Sequence, residues 1–206
     1  MSDHIVVEAQ SRVLTIRLNR PEKKNALTQA MYQDMSEGLL AAEGNRAVRA
    51  VLITGTETSF TAGNDIVDFA HARPGEPTAA LTFLQTLAAA KKPVIAAVNG
   101  LAIGIGVTLL LHCDLVYAAA SARFQLPFVN LGLCPEAGSS FILPLLAGYQ
   151  RAAQLLFFGE PFAANEAHDL GFVNAVLPDH ELLAVATEKA RQLAEKPPGA
   201  LAATNR

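Results

Sequence analysis

Short runs of β-branched residues alternate with helical patterns along most of this 206-residue chain, and that alternation constrains the fold more than any other feature. Extended runs recur at residues 13–18, 51–54, 94–98, 115–117 and 172–176, with helical periodicity between most of them. Strands separated by helices read as α/β architecture. The segment 28–42 opens on Thr28 as an N-cap and carries Met31, Met35, Leu39 and Ala42 on one face, which predicts a helix packed onto the sheet. Pro74 and Pro77, within HARPGEP, predict an exposed, mobile break before a second helical stretch at 79–90. No low-complexity linker divides the chain, so the expectation is one domain over residues 1–206.

Composition limits what any motif can mean. Hydrophobic residues make up 51% of the chain, enough for a substantial core. Sixteen lysines and arginines stand against 19 acids, and no basic tract or aromatic-basic interleaving points to nucleic acid. Cys113 and Cys134 lie in apolar surroundings without metal-ligand spacing, so they read as buried reduced thiols and no metal is expected. The opening MSDHIVVEAQ lacks a signal-peptide pattern and no apolar run reaches membrane-spanning length. The expectation is a soluble cytoplasmic protein with no membrane partner.

Three stretches have the residue types for chemistry. In SFTAGNDI, residues 59–66, Gly63 and Asn64 follow a strand; free N–H groups there suit an oxyanion or phosphate, or the turn is simply tight and Asp65 caps it. In NGLAIGIGVTLLLHCD, residues 99–114, glycines at 100, 104 and 106 either open the N–H near Ile105 to a ligand or allow close helix-strand packing. His112 there reads as a hydrogen-bonded structural residue or, less directly, as chemistry. LPFVNLGLCPEAGSSF, residues 126–141, contains one carboxylate, Glu136, which either sits at the positive end of a helix or moves a proton.

Taken together and in order, LNRPEKKNALT, VLITGTETSFTAGNDI, PVIAAVNGLAIGIGVTLLLHCDLVYA and LPFVNLGLCPEAGSSFILP resemble the crotonase superfamily, the enoyl-CoA hydratase/isomerase fold. FGEPFAANEAHDLGFVNAVLP is similar to the family segment in which a helix leads into a G-x-V-x-x-V strand. The resemblance implies a crotonase (ClpP-like) spiral of ββα units, with the spiral core over about 1–195 and a shortened C-terminal helical segment at 196–206. It also implies a homotrimer and an acyl-CoA substrate, with coenzyme A entering as part of the thioester rather than as a separate cofactor.

Residue by residue, the resemblance puts the two oxyanion N–H groups on Asn64, after Gly63, and on Ile105, between Gly104 and Gly106. Hydratases of the superfamily have glutamates where this chain has Thr108 and Phe128, so both hydratase carboxylates are replaced. PEAGSS resembles instead the peroxisomal-type Δ3,Δ2-enoyl-CoA isomerases, in which a single glutamate, here Glu136, shuttles the proton. Lys24, Ala26 and Leu27 resemble the loop that meets the CoA nucleotide and pantetheine. Ala62, Asp65 and Ile66 resemble the adenine-side wall, and Gly63 and Gly104 complete the implied contact set. The expected function is isomerisation of 3-enoyl-CoA to 2-trans-enoyl-CoA in fatty acid metabolism; another crotonase reaction or non-catalytic acyl-CoA binding are the alternatives.

Overall fold

The computed structural model describes residues 2–56, 58–69 and 78–204. Two sheets organise the chain. The larger contains β1 (Ile5–Gln10), β2 (Val13–Leu18), β3 (Ala50–Thr54), β5 (Val94–Val98), β7 (Leu115–Ala119) and β10 (Ala175–Leu177), in the order β1-β2-β3-β5-β7-β10. Only the β1–β2 pair is antiparallel. The smaller contains β4 (Ser59–Thr61), β6 (Leu101–Ile103), β8 (Arg123–Gln125) and β9 (Phe162–Ala163), in that order, with β9 antiparallel to β8.

The spiral follows from how the chain visits these sheets. Three times in succession it lays one strand in the large sheet and the next in the small one, as β3–β4, β5–β6 and β7–β8, before turning into helix. β3 (AVLIT) and β5 (VIAAV) are buried at every position, as parallel strands covered on both faces must be.

Helix α1 (Gln29–Gly44) begins where expected: the Thr28 hydroxyl accepts the Met31 N–H, and Met31, Met35, Leu39 and Ala42 are all buried. It packs against α3 (Ala79–Ala88), where the rings of Tyr32 and Phe83 lie 5.8 Å apart at their centroids. The short α2 (Ile66–Phe69) lies between them in sequence. After β6 comes α4 (Ile105–Thr108), continued by a 3-10 turn at Leu109–His112. Further on are α5 (Ser139–Ala147), α6 (Tyr149–Phe158) and α7 (Ala164–Asp169). Helix α8 (Leu182–Ala194) presses Leu182, Ala186, Ala190 and Ala194 inward over β3 and β5, and α9 (Pro198–Thr204) follows.

Several expectations change. The strand read at 172–176 begins only at Ala175; Phe172 and Val173 are buried ahead of it, and Phe172 meets Phe124 and Phe162 edge-on. Asn174 ends that packing segment by exchanging bonds with Val116, its N–H donating to the Val116 carbonyl and its side chain accepting the Val116 N–H. Apolar residues there fill the core rather than extend the ladder. Cys134 is exposed, not buried, because it lies on the loop leading to Glu136 rather than under a sheet. Cys113 is half-buried, and burial raises its thiol pKa. The helical stretch read to residue 90 stops at Ala88. The HARPGEP break lies outside the described residues.

Candidate active site

Parallel neighbours β4 and β6 end side by side, which brings the loops after them together. Gly63, at φ +90, sits so close to β6 that a Cβ would stand 2.9 Å from the Ile103 carbonyl oxygen. Gly106 packs against β4, and a Cβ there would lie 2.6 Å from Thr61 Cγ2. The glycines therefore serve close backbone approach between the two loops.

Their hydrogen bonds can be followed one by one. The Gly63 N–H donates to Thr61 Oγ1, the Leu27 N–H to the Gly63 carbonyl and the Asp65 N–H to the Leu27 carbonyl. The alternation leaves the Asn64 N–H facing away from the Leu27 segment, with no acceptor among the described residues. At the second loop Gly104 donates to Gln125, and Val107 and Thr108 both donate to Gly104. Ile105, at the first position of α4, has no acceptor for its N–H among the described residues.

Glu136 does not open a helix. α5 starts at Ser139 behind Gly138, with no acidic residue in its first turn, and the Glu136 carbonyl accepts both the N–H and the hydroxyl of Ser139. Its carboxyl turns instead towards α4, where Thr108 Oγ1 donates to Oε1 at 3.4 Å. Burial pushes the carboxyl above its ordinary value, and the Thr108 hydroxyl pulls the other way. Glu136, Asn64 and His112 line a cavity of about 340 Å³ whose apolar wall includes Leu81, Leu84 and Ala88. Among the described residues lining it, Glu136 is the only carboxylate. Ile105 and Gly104 do not line this cavity, and Ile105 is buried in the helix that carries Thr108. Phe128 is buried, and its side chain has no polar atom.

The remaining expected residues form a second region. Lys24 is exposed, and its carbonyl accepts the Ala62 N–H, which joins the Lys24–Ala26–Leu27 segment to Ala62, Gly63 and Asp65. Arg20 Nη1 ties the same segments, donating to the Ala26 carbonyl at 3.0 Å and to Asp65 Oδ2 at 2.7 Å. Asp65 also accepts from the N–H groups of Val67 and Asp68, so its carboxylate braces the loop and caps α2. The Arg20 hydrogen bond is the main reason its pKa is lowered. Ile66 is 82% exposed. No described group of His, Cys, Asp or Glu residues is arranged to hold a metal ion, and no described helix is long and apolar enough to cross a membrane.

Two residues escape a reading of the sequence. Tyr32 is fully buried under the site, where its hydroxyl donates to Asn64 Oδ1. Burial first, then the nearby negative charges of Glu136 and Asp68, raises its pKa. Its signal was a tyrosine on the apolar face of α1, since a buried phenol needs a partner. Asn25, also buried and at φ +57, donates to the carbonyls of Ser59 and Phe60 and accepts the Arg20 N–H. Nothing in its local pattern marks it out.

Comparison with known proteins gives the family and the fold. Residues 8–206 match the family model described as Enoyl-CoA hydratase/isomerase. The chain is 37% identical over 206 residues to 1,2-epoxyphenylacetyl-CoA isomerase of Escherichia coli (strain K12), covering 96% of this chain and 78% of that protein. It is 37% identical over 207 residues to enoyl-CoA delta isomerase 2 of Rattus norvegicus, covering 97% of this chain and 53% of that protein. The structure of Pseudomonas aeruginosa OdaA superposes with a TM-score of 0.96 at 49% identity, covering 100% of this chain and 84% of that one. Other relatives carry hydratase and dehalogenase names. With a family match over nearly its whole length and a crotonase-fold neighbour this similar, the chain belongs to the enoyl-CoA hydratase/isomerase family of the crotonase superfamily.

Proposed function

We propose that this protein is an enoyl-CoA isomerase that moves the double bond of a 3-enoyl-CoA into conjugation with the thioester. The observation that carries the reading is Glu136, the one carboxylate among the described residues of the cavity wall, seated beside Thr108 where a hydratase would bring a second acid. Glu136 removes a proton from C2, the electron pair forms an enolate on the thioester oxygen, and the same proton returns to C4 as C2=C3 forms. The N–H groups of Asn64 and Ile105 donate to the enolate oxygen. Each such donor contributes about 3 kcal/mol of transition-state stabilisation in a water-excluded site. A carboxyl with a raised pKa suits both halves of the shuttle, because it binds and releases the proton with similar ease near neutrality.

The substrate's CoA portion extends over Lys24, Ala26, Leu27, Ala62, Gly63, Asp65 and Ile66, and coenzyme A is needed only as part of the thioester. Hydration is not favoured, because neither Thr108 nor the buried Phe128 can activate water. Names among the relatives support acyl-CoA chemistry in general and include isomerases. The family resemblance and the exposed Phe141, Leu145, Tyr149, Phe157 and Phe158 on α5 and α6 support assembly as a homotrimer.

Purified protein assayed separately with 3-enoyl-CoA and 2-enoyl-CoA tests the reaction. Isomerisation without hydration is expected; hydration as the dominant activity, or no turnover of either, overturns the reading. Light scattering at micromolar concentration tests assembly, and a clean monomer rules out the trimer.

A further inference from the structure

α4 and the 3-10 turn after it form one rod, residues 105–112, and this rod touches the Glu136 turn twice. Thr108 reaches the carboxyl. One turn further on, His112 Nε2 lies 2.8 Å from the Ala137 carbonyl oxygen. A carbonyl oxygen only accepts, so Nε2 carries the ring proton in this contact. The turn it meets is unusual: Ala137 at φ +52 and Gly138 at φ +66 are consecutive left-handed residues, and alanine resists that conformation because of its Cβ. Ser139 holds the Glu136 carbonyl on one side, and His112 holds the Ala137 carbonyl on the other.

We propose that His112 is a positioning residue whose Nε2–H, clamped on the Ala137 carbonyl, holds the left-handed turn that keeps the Glu136 carboxyl in the cavity beside Thr108. The kinetic consequence rests on Glu136 being the base; the clamp itself depends only on the fold. If the clamp is lost, the Ala137–Gly138 peptide is free to rotate out of the left-handed region, and the carboxyl moves with it towards water. The described titratable groups around that carboxyl are Tyr32 on α1, with Asp68 near it, and His112 in the cavity wall.

The test compares His112→Leu with His112→Gln, whose amide N–H extends about as far as Nε2. Glutamate labelled with ¹³C at the carboxyl, with the Glu136 resonance assigned through Glu136→Gln, reports the titration without any turnover. The expected result is that His112→Leu lowers the Glu136 pKa towards the ordinary carboxylate value, while His112→Gln keeps it near wild type. In the isomerase assay His112→Leu should reduce kcat by about a hundredfold with KM little changed, as a displaced catalytic group does, and His112→Gln should restore most of it. A lower melting temperature with the Glu136 titration unchanged overturns the proposal, because that is the mark of simple packing. If His112→Leu does not fold, ¹⁵N spectra of the wild-type ring decide: a proton on Nδ1 rather than Nε2 overturns it. Absence of isomerisation by the wild type defeats the functional reading and leaves the titration test standing.

Discussion

The hydroxyl of Thr108 lies 3.4 Å from Oε1 of Glu136, the one carboxylate among the described residues of the cavity wall. This contact favours the charged carboxylate while burial favours the neutral acid, and the balance leaves the pKa raised. A hydroxyl on α4 thus tunes the protonation of a carboxyl carried by the loop before α5, 28 residues away in sequence.

Replacing that group is the most direct measurement. Glu136→Gln should lower the isomerisation rate by about a hundredfold to ten-thousandfold, with folding and CoA-ester binding preserved. A near wild-type rate would show that Glu136 is not the base.

The same variant has a pH-dependent effect on stability. A raised pKa means that the folded protein holds the proton more tightly than the unfolded chain does. The stability contributed by Glu136 is therefore fully present below its ordinary value of 4.5 and is lost as pH rises through the raised value. Glu136→Gln should melt higher than wild type at neutral pH, with the difference closing in acid. Parallel thermal melts across that range check the sign.

Thr108→Val removes the hydroxyl and keeps the shape. The Glu136 pKa should rise further, moving the acid limb of the kcat/KM profile to higher pH, at a stability change of about 1 kcal/mol. An unmoved limb would show that the contact does not tune the base.

Tyr32→Phe takes the donor away from Asn64 Oδ1 without changing the ring. Stability should fall by about 1 kcal/mol, and kcat by roughly tenfold or more as the Asn64 loop loosens. Wild-type kcat in this variant would limit Tyr32 to packing.

Gly106→Ala places a Cβ 2.6 Å from Thr61 Cγ2 and 3.2 Å from the Thr61 carbonyl oxygen. Overpacking of this kind costs about 1–3 kcal/mol, and the displacement should carry the Ile105 N–H out of line. Thermal melts together with isomerase rates measure both effects.

Local pattern was enough for several features. The Thr28 cap and the Met31–Met35–Leu39–Ala42 face of α1 depend on helical spacing alone, which a sequence states directly. β3 and β5 read as continuous apolar runs because both their faces are covered. Phe172 and Val173 misled because burial in a loop and burial in a strand demand the same residue types.

By itself, then, the sequence determined the α/β class, the amphipathic helices and the presence of one carboxylate within the apolar stretch around residue 136, since each is a matter of residue type and local period. Tertiary structure alone decided that β4, β6 and β8 form a second sheet, because three-residue strands have too few positions to show a period. It alone decided that Tyr32 meets Asn64 across 32 residues, and that Thr108 meets Glu136 across 28. Such pairs arise from which strands become neighbours and how closely glycine lets their loops approach. That order is settled by packing the whole core at once, and no short window of residues contains it.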